Sequence, residues 1–272
     1  MTSATDWPAK TLPLVRRRPI SEAFRSISAL ILREMSTRYG RTPGGYVWAM
    51  LEPMGMIIIL GFAWSMLARA PTLGTSFFLF KGTGFMVLQM FLVNSKLVGS
   101  AMSFSRPLLF YPRVTWLDAI LARFILNSLV VTLTTTIILT GIMVYENIHT
   151  VLDYPRILAA MGLAALLGLS VGILNCYLFQ RIPVWGQIWS IATRPLFLVS
   201  GVIFIYEDLP QMGKDALWYN PILHLTGLMR EGFYPLYHPD YISGAYLGLW
   251  IFLPMVTGLL LLRQFHRDLL NR

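Results

Sequence analysis

Charge is the first thing this chain has little of. Only 13% of its 272 residues are Asp, Glu, Lys or Arg, while 56% are hydrophobic; an ordinary soluble domain carries roughly 25% charged residues. A chain so poor in charge must set much of its surface against lipid. Cysteine is nearly absent as well: the single Cys176 sits in an apolar run, so neither an intrachain disulfide nor a CxxC metal site can form. No GxxxxGK[ST] loop occurs, which excludes a P-loop nucleotide site. The four histidines, His149, His224, His238 and His266, form no HExxH and no His/carboxylate pair at ligand spacing, so no metal site is expected. One GxSxG match, at Gly168, Ser170 and Gly172, lies midway along an apolar run, where a nucleophile elbow would lack its strand-to-helix turn. The formal net charge of +9 comes without a zinc finger, an RNP-like motif or a basic groove, so nucleic acid is not an expected partner. The first apolar run long enough to span begins only after about 45 residues, and no cleavable export signal is expected ahead of it.

What the chain does contain is a succession of apolar runs, at about Tyr46–Ala68, Phe77–Val98, Ala119–Tyr145, Ile157–Phe179, Gln187–Tyr206 and Tyr241–Leu262. At about 1.5 Å per residue each reaches across about 30 Å of hydrocarbon. They predict an all-α integral membrane protein of six transmembrane helices. Residues 1–20, with Pro8, Pro13, Pro19 and the run Arg16 to Arg18, read as a cytosolic tail, and residues 21–272 as one membrane domain. Over 21–39, Phe24, Ile27, Leu30, Ile31 and Met35 recur at spacings of mostly three and four, which predicts an amphipathic helix lying in the membrane interface. Residues 99–118 are too interrupted by Pro107 and Pro112 to cross. Residues 207–240 mix charges with the apolar LWYNPILHLTGLM and predict re-entrant helices that dip into the membrane without crossing. Lys81-Gly82-Thr83-Gly84 predicts an irregular outer end for the second span, whereas Gly162, Gly168 and Gly172 predict close helix packing along the fourth.

Six spans put both termini on one side, and charge says which. The segments opposite the termini would hold Arg69, Lys81, Arg156, Lys214 and Arg230 against seven acids, leaving 17 of the 22 basic residues and 6 of the 13 acidic ones on the terminal side. The positive-inside rule then places both termini in the cytosol. Within the spans, Glu52 and Arg194 need a partner, a carbonyl or water. They could pair with each other, or Arg194 could meet a substrate anion. Trp48, Trp64, Trp185, Trp189 and Trp218 fall near span ends, where an interfacial aromatic belt and a pore whose flat rings face a sliding sugar chain are both open readings.

Three motifs carry a resemblance. RExxxRYGRxPGGYxWAxLEP at residues 33–53, the FYPR-containing segment after the second span, and WYNPxxHxxxxxREGFYP at residues 218–235 together resemble the permease subunits of capsule-polysaccharide ABC exporters, type-2 ABC exporters whose relatives export O-antigen. The resemblance covers nearly the whole chain from about Ser21. It implies a homodimer in the bacterial inner membrane, bound to a dimer of separate ATPase subunits that carry the ATP and magnesium; this chain itself needs no cofactor. It implies a lipid-linked, often acidic polysaccharide as load, with periplasmic adaptor and outer-membrane export proteins beyond it. By the same resemblance Arg33, Glu34, Arg106, Phe110, Tyr111 and Arg113 become candidates for coupling to the ATPase. Arg38, Arg41, Tyr46, Trp48, Trp64, Trp189, Arg194 and Tyr206 become channel candidates, and Trp218, Tyr219, Asn220 and His224 an outer gate. Guanidinium groups suit phosphate and sugar carboxylates, which they can pair with bidentately. Export of O-antigen, teichoic acid or another lipid-linked load stays open, as does a membrane transferase or an envelope scaffold.

Overall fold

A computed structural model describes residues 19–38, 44–109 and 114–270. Among the described residues every regular element is helical. In chain order these are α1 (Pro19–Arg38), α2 (Tyr46–Leu67), α3 (Phe77–Gly99), α4 (Ala101–Leu109), α5 (Trp116–Tyr145), α6 (Tyr154–Arg181), α7 (Trp185–Thr193), α8 (Leu196–Val199), a 3₁₀ turn Tyr206–Asp208, α9 (Gln211–Leu217), α10 (Pro221–Phe233) and α11 (Gly244–Leu270). Five helical stretches, built on α2, α3, α5, α6 and α11, are long and apolar enough to cross a membrane.

Local signals explain where these helices begin. Thr115 and Asp118 form a reciprocal capping box at the head of α5. Asp153 caps α6 through the Arg156 amide, with Pro155 in its first turn, and Asn220 caps α10 through the Ile222 amide, followed by Pro221. Immediately ahead of α2 the turn is made by Gly44 at φ 88° and Gly45 at φ 33°, backbone that L side chains rarely adopt.

α3 is the axis of the bundle. It packs against α2, α5, α6 and α10, and Leu79, Met86, Val87, Leu88 and Met90 along it are all buried. α6 comes closest because it has no side chain at two crossing points: a Cβ on Gly168 would stand 2.7 Å from Asn94 Cβ, and one on Gly172 2.7 Å from Val98 Cβ. Gly162, expected to share this role, faces nothing within 4 Å. α11 closes on the other flank of α6 through Gly258, whose added Cβ would lie 2.7 Å from the Leu174 nitrogen. α2 and α11 turn large apolar side chains such as Ile59, Phe62, Phe252 and Leu260 outward, as helices bathed in hydrocarbon do.

Several expectations need correcting. The run Gln187–Tyr206 is not one helix. α7 stops at Thr193, Arg194 and Pro195 separate it from the four-residue α8, and beyond Val199 the backbone turns through Gly201 at φ 74°; proline removes an amide donor and glycine accepts the left-handed turn. The described chain therefore holds five continuous membrane-length helices rather than six. Lys81–Gly84 does not disrupt α3, which runs unbroken from its Ser76 cap. α11 starts at Gly244 rather than Tyr241 and continues past Leu262 to Leu270. On α1 the inward positions are Leu30 and Glu34 while Phe24 is exposed, because α1 packs on α5 and Glu34 finds a cation there.

Candidate functional site

Two clusters of polar and aromatic side chains lie at opposite ends of the bundle. The first gathers where α1, the α3–α4 junction and the head of α5 meet. Glu34 of α1 and Arg123 of α5, 3% and 5% exposed, form an ion pair with Nε 3.1 Å from Oε1. Arg123 Nη1 also donates to the Leu97 carbonyl at 2.9 Å and to Ser100 Oγ at 2.7 Å. Its guanidinium lies 4.1 Å from the centre of the Phe104 ring on α4, over which Arg33 stands at 5.6 Å. One side chain thus ties together α1, the end of α3, the Ser100 joint and α4. Arg123 lies near the start of a span, where an arginine can snorkel to the interface, yet it turns inward because Glu34 and three acceptor or ring partners offer its charge more than a half-wet surface does.

Of the residues expected to couple, Glu34 and Arg33 belong to this cluster, and Arg106 is exposed on α4. Phe110, Tyr111 and Arg113 lie outside the described residues, as do Arg41 and the side chains of Arg38 and Tyr46.

The second cluster surrounds α10. The His224 ring is enclosed by Trp218 (centroids 5.3 Å), Tyr241 (5.6 Å) and Tyr246 (5.5 Å). His224 Nε2 lies 2.7 Å from the Trp218 carbonyl and Nδ1 3.3 Å from the Ser243 amide. A carbonyl can only accept and an amide can only donate, so the imidazole is neutral with its proton on Nε2. Burial lowers the His224 pKa below the ordinary histidine value, in keeping with that form. Trp218 Nε1 donates to the Tyr241 carbonyl, Tyr246 OH donates to the Tyr219 carbonyl at 2.7 Å, and the Tyr219 ring is exposed. Asn220 Nδ2 donates to the Val199 carbonyl and to Ser200 Oγ, which joins α10 to the end of α8. Tyr206 stacks on Tyr241 at 4.2 Å. All four expected gate residues and Tyr206 therefore come together. Tyr241 and Tyr246 complete the cluster, and their position at the head of an apolar helix, where aromatics anchor, was the signal available for them.

The remaining channel candidates are dispersed. Trp48 is exposed near the start of α2, Trp64 faces Lys81, and Trp189 packs toward Phe91. Arg194 is exposed at the α7–α8 break, and among the described residues no ion pair joins it to Glu52. Glu52 instead lines a small cleft with Gln89, Asn127 and Thr134, between α2, α3 and α5. The buried cations Lys81, Arg123 and Arg230 had no assigned site role; a charge inside an apolar run is the general signal that marks such positions.

Comparison with known proteins agrees with this architecture. Over 244 residues the chain is 29% identical to the capsule polysaccharide export inner-membrane protein CtrC of Neisseria meningitidis serogroup B, covering 89% of this chain and 92% of that protein. It is 27% identical over 245 residues to the capsule polysaccharide export inner-membrane protein BexB of Haemophilus influenzae, with 89% and 92% covered. It is 26% identical over 251 residues to the polysialic acid transport protein KpsM of Escherichia coli, with 90% and 95% covered. The model of the ABC-2 type transporter family matches residues 25–234. With α1–α10, the Glu34–Arg123 cluster and the Trp218–His224 core of the second cluster all reached by that match, the chain belongs to the ABC-2 type transporter family.

Proposed function

We propose that this chain is the permease subunit of an ATP-driven exporter that moves a lipid-linked, acidic capsular polysaccharide across the bacterial inner membrane. The observation that carries the reading is the chain-long similarity to proteins named for capsule polysaccharide export and polysialic acid transport. ATP and magnesium bind a separate ATPase dimer, in keeping with the missing P-loop. The permease works as a homodimer with both termini cytosolic, α1 at the cytosolic interface, and α7–α8 as a broken fifth crossing of the membrane.

In this reading the Glu34–Arg123 cluster is the input. The ATPase engages α1, α4 and the residues after α4, and Arg123 passes their displacement to α3 and α5 as one unit, while the Gly44–Gly45 turn passes it to α2. The Trp218–His224–Tyr246 cluster is the output, where flat rings offer apolar faces to sugar rings without holding them tightly. Inverted membrane vesicles supplied with ATP in the external medium test the whole scheme. Uptake of lipid-linked acidic polymer is expected with active partner ATPase and none with a hydrolysis-dead one; equal uptake in both overturns ATP-driven export.

A further inference from the structure

The segment Val199–Phe204 leaves α8 and continues without helical hydrogen bonding, so its carbonyls lose their intrahelical partners. Side chains from two other helices collect them. Asn220 Nδ2 donates to Val199 O at 3.0 Å and Thr226 Oγ1 to Ser200 O at 2.9 Å. Arg230 donates through Nη2 to Val202 O at 3.4 Å and through Nη1 to Phe204 O at 2.8 Å. Lys81 Nζ donates to Ile203 O at 2.7 Å. Five of six consecutive carbonyls are held in this way, by donors of α10, its cap and α3.

The two cations in this set are unusual. Lys81 and Arg230 are each 1% exposed. Both lie over the ring of Phe80, Arg230 at 4.0 Å and Lys81 at 4.9 Å, and Lys81 also lies 4.4 Å from the Trp64 ring. Among the described residues no carboxylate is within salt-bridge distance of either. Their charges are therefore compensated by aromatic faces and by the carbonyls of one non-helical segment. The dependence is mutual: undocking 199–204 strands two buried cations, and losing the cations strands the carbonyls, each costly in a water-poor setting. Gly84 makes the docking possible, since a Cβ there would stand 3.0 Å from Val202 Cα and 3.3 Å from Arg230 Nη2.

We propose that Lys81 and Arg230 form a latch, two positioning residues that hold segment 199–204 against α3 and α10 and keep that end of the bundle closed until α10 moves. This rests on the exporter reading only for the use of the opening; the latch itself is a statement about one segment. Its two ends belong to different helices, so a shift of α10 relative to α3 divides the carbonyls between them and releases the segment.

An accessibility measurement tests it. Cys176 is fully buried, so Ile203→Cys in the full-length protein reports on the segment against a low background. The protein is placed in lipid nanodiscs, which leave both faces open, and labelled with a membrane-impermeant maleimide. Losing a hydrogen bond to a charged donor raises the open fraction roughly tenfold to a hundredfold, so Lys81→Met and Arg230→Met are expected to speed labelling by that factor. Lys81→Arg, which keeps a charged donor, is expected to restore most of the protection. Unchanged labelling in both Met variants at normal protein levels overturns the latch. If the Met variants do not accumulate, Arg230→Lys, which keeps the charge but cannot span both carbonyls, is expected to label at an intermediate rate, and a rate equal to the parent's overturns the proposal. The readout needs no transport, so a failed export assay leaves the latch standing, and unchanged labelling in an export-competent protein removes the latch alone.

Discussion

Arg123 concentrates four contacts in one guanidinium, and that makes its removal informative. Arg123→Ala leaves the Glu34 carboxylate buried without its cation, which costs roughly 3–5 kcal/mol for a buried pair. The double variant Glu34→Gln with Arg123→Met removes both charges and is expected to recover much of that loss. Thermal unfolding of the two purified variants checks this, and equal destabilisation of single and double variants would show that the pair itself is not the reason. The sequence marks Glu34 as a coupling residue through its motif, but its partner stands 89 positions away, and nothing local distinguishes an inward arginine from a snorkelling one. His224 gives a second residue-scale expectation. Its folded pKa lies below the unfolded value of about 6.5. The native state therefore binds fewer protons, and the contribution of this site is fully present above about pH 6.5 and is lost as pH falls below it. His224→Gln, unable to take the charge, is expected to flatten that part of the pH–stability profile; an unchanged slope would assign the dependence to other groups.

Helix α6 shows how far an apolar pattern can be read at the scale of an element. Its length, its apolarity and the close packing at Gly168 and Gly172 were legible, and the GxSxG within it is resolved by Ser170, fully buried with Oγ bonded to the Leu167 carbonyl. Overpacking a tight core contact costs roughly 1–3 kcal/mol, and Gly168→Ala meets Asn94 Cβ at 2.7 Å and the Phe91 carbonyl at 3.0 Å. It is expected to lower thermal stability, while Gly162→Ala, facing open space, is neutral or slightly stabilising through helix propensity. Equal effects of the two would show that the α3–α6 contact is not the controlling feature. The broken α7–α8 stretch was not legible to the same degree. Hydropathy reports that a segment is apolar, not that it is continuous. Pro195 hinted at the break, but the groups that make a non-helical backbone tolerable, Lys81, Asn220, Thr226 and Arg230, are distant in sequence and have meaning only once folded.

For the molecule as a whole, the exposed side of α7 raises the question of what covers it. Ile188, Ile191 and, beyond the break, Leu198 are 45%, 63% and 57% exposed, and the backbone after α8 is irregular. Irregular backbone at membrane depth persists only where protein or a water-filled cavity shields it from lipid. α2 and α11 are also exposed, but they are uninterrupted helices that lipid can cover directly. In the homodimer proposed above, the exposed apolar side of α7 is therefore the expected contact with the second copy and α11 the expected lipid face. Single cysteines separate the two surfaces. Oxidative cross-linking in native membranes is expected to give a dimer-sized product from Ile191→Cys on α7 and none from Phe252→Cys on α11, both exposed positions. A product from Phe252→Cys alone would move the interface to α11, and products from both in equal yield would indicate collision between freely diffusing chains rather than a fixed dimer.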